Sequence, residues 1–129
     1  MSPEELIRAA YEAMNTRNLE ALLALMDPAV QVRGVAVRST RGQWFQGYPG
    51  VREWWEGLTA TYDRFILELL SLEVEGDRAV AKLRATFRVG EVHLETEGWQ
   101  SASFRSGRIL TWARWDSEAE ARASVDMAR

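Results

Sequence analysis

Gly98-Trp-Gln-Ser-Ala-Ser-Phe-Arg-Ser-Gly-Arg-Ile-Leu-Thr-Trp-Ala-Arg-Trp-Asp-Ser-Glu-Ala-Glu-Ala121 reads as strand, turn, strand and helix in one run. Ser106-Gly107 is the turn of a hairpin, and Ser117 with Glu120 forms a capping box that starts the last helix. Three of the six tryptophans lie here, and indoles gathered on one strand pair need a core or a ligand to cover them.

Working back towards the N-terminus, the pattern remains strand after strand to Phe65. The connections are short and glycine-bearing, at Glu75-Gly76-Asp77 and Gly90-Glu91. Before that the chain is mainly helical. Ser2-Pro3-Glu4-Glu5 is a capping box with proline at the first helical position, and Leu6, Ile7, Ala10, Tyr11 and Met14 follow at helical spacing. Asn18 can cap a short second helix carrying Leu19, Leu22, Leu23 and Met26, which Asp27-Pro28 is expected to end. Val30 to Val37 alternates as a strand. Arg38 to Gly50 reads as a polar loop interrupted by Trp44-Phe45. Pro49-Gly50 introduces a third helix with Val51, Trp54, Trp55, Leu58 and Tyr62 on one face.

The order predicts an α+β fold in which a curved, mostly antiparallel sheet wraps around three N-terminal helices and a short C-terminal helix follows. At 129 residues a single domain over 1–129 is expected, since two separate cores would each be marginal. The net charge of −3, with both signs interspersed, leaves no basic stripe for nucleic acid. No apolar run has membrane-spanning length or the form of a signal peptide, so no membrane partner and a cytoplasmic location are expected. The chain has no cysteine and one histidine, His93, in the sequence His93-Leu94-Glu95. A zinc set could be completed only by carboxylates, and the Pro-Cys-x-x-Cys of zinc deaminases is missing, so neither metal nor cofactor is expected. Gly42 and Gly47 have phosphate-loop spacing, but Tyr48-Pro49 stands where lysine and a hydroxyl are needed. No Gly-x-Ser-x-Gly elbow is present.

Several of these segments together resemble the nuclear-transport-factor-two-like superfamily (cystatin-like α+β), and within it the SnoaL-like branch. The resemblance rests on the first helix ending in Asn15-Thr16-Arg17-Asn18, on Leu25-Met26-Asp27-Pro28-Ala29-Val30 and on Gly47-Tyr-Pro-Gly-Val-Arg-Glu-Trp54. It is strongest at Phe104-Arg-Ser-Gly-Arg-Ile109, followed by Trp115 and Ser117-Glu-Ala-Glu-Ala121. It implies a cone-shaped domain with a pocket between helices and concave sheet, often in a homodimer. Members include polyketide cyclases, steroid isomerases, epoxide hydrolases and binding domains without chemistry, so function must come from the pocket residues.

Strict pairing across Ser106-Gly107 places Ser101 opposite Trp112 and Trp99 opposite Arg114, so that Trp99, Trp112 and Arg114 share one face. The preceding hairpin pairs Arg84 with Glu97, Thr86 with Glu95 and Arg88 with His93 on a charged face, leaving Leu83, Ala85, Phe87, Val92 and Leu94 on an apolar one. Unbroken alternation would then join Trp99 to the charged set, and a bulge at Gly98 resolves the conflict. The expected ligand-binding set is Tyr11, Trp54, Trp55, Phe87, Trp99, Trp112 and Arg114. The other face, with Ala102, Phe104, Ile109, Thr111, Ala113 and Trp115, suits a dimer contact.

By resemblance, the carboxylates of steroid isomerases and of epoxide hydrolases or cyclases fall near Arg33 and Arg114, which cannot accept a proton. Arg114 beside tryptophans can instead bind a carboxylate or enolate oxygen, or simply pair with an acid from the helices. For Tyr11, Trp54, Trp55, Phe87 and Trp112 the alternative is core packing. The expected function is a small-molecule-binding domain with a tryptophan-lined pocket and an arginine anchor, taking a small apolar or acidic organic ligand. The rivals are a cofactor-free isomerase, cyclase-like or epoxide-hydrolase-like enzyme, and a dimeric structural or partner-binding module.

Overall fold

The computed structural model describes residues 1–128. Helix α1 (Pro3–Asn15) starts at the Ser2 capping box, with Ser2 and Glu5 exchanging side-chain-to-backbone hydrogen bonds. Its far end is clamped to the sheet, because the Asn15 amide both donates to the Leu67 carbonyl and accepts from the Leu67 N–H, each at 2.8 Å. A short α2 (Leu19–Ala24), capped by Asn18, leads into β1 (Met26–Arg33), β2 (Trp44–Gln46) and α3 (Gly47–Thr61). Then come β3 (Arg64–Glu75), β4 (Arg78–Val89), β5 (Val92–Arg105), β6 (Arg108–Trp115) and α4 (Glu118–Ser124).

One six-stranded sheet runs in the order β2-β1-β6-β5-β4-β3, antiparallel except where β1 lies parallel to β6. The main core fills its concave side. Leu6, Ile7 and Tyr11 of α1, Leu22 of α2 and Val51 and Trp54 of α3 meet Val32, Leu83, Ala85, Ala102 and Trp112 there. Helix α4 covers the outer side, where Ala121, Val125 and Met127 join Val80, with Trp99 and Trp115 packed against them. The expected dimer face is thus divided: Ala102, Phe104 and Ile109 are buried in the main core, and Trp115 lies beside α4. Among the described residues no helix is long and apolar enough to cross a membrane.

Three local readings are corrected. Asp27-Pro28 does not stop a helix but lies inside β1, in a stretch where the register against β6 shifts between Met26 and Gln31. Asp27 folds this segment by accepting the Ala29 N–H at 2.8 Å, and a register irregularity is a place where a sheet tolerates proline. Trp44-Phe45, read as an interruption in a loop, is the edge strand β2, with Phe45 buried.

The third correction is the bulge. Pairing of β4 with β5 is unbroken through Gly98, which lies opposite Leu83. The irregularity falls in the next hairpin, where Phe104 pairs with Ile109 but Ser103 pairs with Thr111, leaving Leu110 as the extra residue. A shift of one residue exchanges the faces. Trp112 is therefore opposite Ala102 and Arg114 opposite Gln100 on the concave side, while Trp99 faces outward opposite Trp115. The extra residue lets Ile109 and Trp112, three positions apart, both enter the core.

Candidate functional site

At the open end of the cone, Trp54, Leu58, Phe65, Phe87, Gln100, Trp112 and Arg114 line an inner cavity of about 30 Å³. This is room for a water molecule or two. Outside it lies a vestibule of about 370 Å³ bounded by Val35, Ala36, Tyr62, Phe87, the β5 segment 94–97 with Leu94 and Thr96 on the inward face and, on its polar side, Arg41 and Asp116. Arg114 belongs to both spaces.

Each wall follows from local structure. Trp54 can lie flat on the chain after β1 because residue 34 is glycine: a Cβ there would stand 2.7 Å from the indole nitrogen. Trp55 turns away from the cavity and meets Phe65 edge-on at 5.9 Å. Tyr62 ends α3 by donating its hydroxyl hydrogen to the Ala36 carbonyl at 2.6 Å, and its ring lies 4.4 Å from that of Phe87. The loop after β1 is strapped to the end of β6 by Arg41, whose guanidinium reaches both Asp116 carboxylate oxygens at 2.6 Å and the Val35 carbonyl at 2.8 Å.

Gly98 makes the space for Arg114. A Cβ at residue 98 would lie 2.6 Å from Nη2 of the guanidinium. The buried Nε of Arg114 has no hydrogen-bond partner, and no carboxylate pairs with the group among the described residues; the neighbouring Asp116 is taken by Arg41. Burial pushes the Arg114 pKa below its ordinary value. The Tyr11 hydroxyl, also buried and without a partner, lies close enough for its pKa to respond to the Arg114 charge. Burial raises that pKa, so the phenol stays protonated and able to donate. The Tyr11 ring meets Trp112 edge-on at 5.3 Å.

Of the residues expected at the site, Trp54, Phe87, Trp112 and Arg114 come together around the cavity, and Tyr11 stands behind it against Trp112. Trp55 belongs to the core. Trp99 is on the opposite face of the sheet, because the extra residue is Leu110 rather than Gly98. Arg33 also points to the outer side: its guanidinium stacks 4.1 Å from the Trp115 ring centre and donates to the Arg114 carbonyl at 2.6 Å. His93, Glu95 and Glu97 alternate onto that outer side, where Arg84 binds Glu68, Glu95 and Glu97. Among the described residues no three metal-ligating side chains cluster. Gln100 and Gly98 were missed. The signal for both was the unbroken alternation from Leu83 and Phe87 into β5, which the bulge assignment set aside.

A SnoaL-like domain family model matches residues 7–112. The chain belongs to the SnoaL-like domain family. Solved structures agree on the fold. A nuclear-transport-factor-two-like protein of unknown function from Burkholderia pseudomallei superposes with a TM-score of 0.81 at 21% identity, covering 95% of this chain and 97% of that one. TerC co-crystallised with polyporic acid gives a TM-score of 0.78 at 17% identity, covering 95% and 96%. A ketosteroid-isomerase-like protein from Catenulispora acidiphila in complex with trimethylamine gives 0.77 at 15% identity, covering 99% and 96%. No curated protein shows significant sequence similarity to the chain.

Proposed function

We propose that this SnoaL-like domain is a small-molecule-binding protein whose ligand enters the vestibule and is anchored by Arg114. The observation that carries this reading is the half-buried Arg114 guanidinium at the junction of vestibule and inner cavity, its buried Nε without a partner and no carboxylate paired with it among the described residues. An interior charge left unpaired costs several kcal/mol, and a protein that keeps one beside an open cleft has a use for it. The surroundings are those of a ligand site, mostly apolar walls with a few polar groups. Structural relatives bearing polyporic acid and trimethylamine show that the fold can accommodate organic molecules.

The inner cavity itself is too small for a ring, so the body of the ligand occupies the vestibule. An enzymatic reading needs a free carboxylate near the ligand or a water held by Arg114. Asp116 borders the vestibule, and catalysis through it would require release from Arg41. A homodimer would use the part of the outer sheet face that α4 leaves open.

Tryptophan emission tests the binding reading, because Trp54 and Trp112 line the cavity. Aromatic and acidic compounds are titrated into the protein, with calorimetry as a second readout. Binding to the vestibule changes the emission and releases or absorbs heat. A panel that changes neither would remove the reading.

A further inference from the structure

The polar groups around the cavity define the head of the ligand more closely than its body. Arg114 offers a planar fork of N–H donors, a geometry that fits two oxygens on one carbon or one enolate oxygen. Its Nε is orphaned. A cationic head would face an uncompensated guanidinium, and a neutral one would leave that charge unpaired. Beyond the head the walls are largely apolar, and the Tyr62–Phe87 pair presents aromatic surface to the vestibule.

We propose that the site takes a ring-bearing carboxylate, its head held by the Arg114 guanidinium and its ring in the vestibule against Tyr62 and Phe87. This rests on the binding function proposed above.

Calorimetry with two probes tests it: 1-naphthoate and the neutral 1-naphthalenemethanol. Naphthoate should bind at least about tenfold more tightly than the alcohol, since a desolvated charge pair replaces a lone charge. Arg114→Met should erase the preference for acid over alcohol, and Arg114→Lys should keep part of it. Equal affinity for acid and alcohol would overturn the carboxylate head while leaving the binding function standing. The same holds for an acid preference that survives Arg114→Met. Absence of heat with every probe would overturn both this proposal and the binding function beneath it.

Discussion

Gly98 and Arg114 occupy one space: the missing side chain of the first is filled by the guanidinium of the second, 2.6 Å from where a Cβ would stand. The two residues are on neighbouring strands of the concave face, with Gln100 directly paired to Arg114. Glycine admits the guanidinium here through close approach of a side chain, not through backbone conformation. Gly98→Ala should displace the guanidinium, at a cost near the low end of the about 1–3 kcal/mol of overpacking because the contact is the far end of a flexible side chain. Urea unfolding measures the cost. In Gly98→Ala combined with Arg114→Met the cost should shrink, because the flexible methionine can yield, giving a coupling between the two sites. Additive effects would show that the contact is not what sets residue 98.

Arg114→Met alone should leave the protein as stable or make it more stable, by about 1–3 kcal/mol, because an unpaired interior charge is replaced by an apolar chain of similar length. The urea midpoint should rise without a change in slope. A clear loss of stability would mean that the guanidinium has a structural partner and is not held in reserve for a ligand.

Acid sensitivity should trace in part to Asp27. The Arg105 guanidinium at 2.8 Å, and then the Ala29 N–H, hold its carboxyl below the usual carboxylate range. Between the lowered folded pKa and the ordinary unfolded value of about 3.9, the unfolded chain binds more protons, so stability rises with pH there. The contribution is complete above about pH 4 to 5 and is lost as the pH falls through the folded pKa. Asp27→Asn should flatten that acid limb. Urea midpoints from pH 6 down to pH 2 check this, and an unchanged limb would assign the acid sensitivity to other carboxylates.

These residues also show what the chain made legible and what it hid. Capping boxes at Ser2 and Ser117 and the helical spacing of the apolar residues placed α1 and α4, because they are local signals. The charged outer face of β4 and β5 followed from turn position alone: Arg84 does pair with Glu97, and Arg88 with His93. The site depended on parity, which a single extra residue inverts. Leu110 is an ordinary apolar residue, whereas Gly98 is a familiar mark of irregularity, so the glycine drew the bulge that belongs to the leucine. The spacing of Ile109 and Trp112 was the available clue, since two large side chains three apart cannot share a face without one. The closeness of Gly98 to Arg114 depends on tertiary packing and had no local trace. The inner cavity's small size likewise arises from how Trp54, Phe65 and Trp112 meet.

The most direct test of the account is the Nε–Hε signal of Arg114 in a nitrogen–proton correlation spectrum, assigned by its loss in Arg114→Met. In the free protein that N–H is buried and has no partner. Addition of 1-naphthoate should move the signal, and 1-naphthalenemethanol at equal concentration should move it less. A signal that stays in place while naphthoate binds would contradict an Arg114-anchored ligand site.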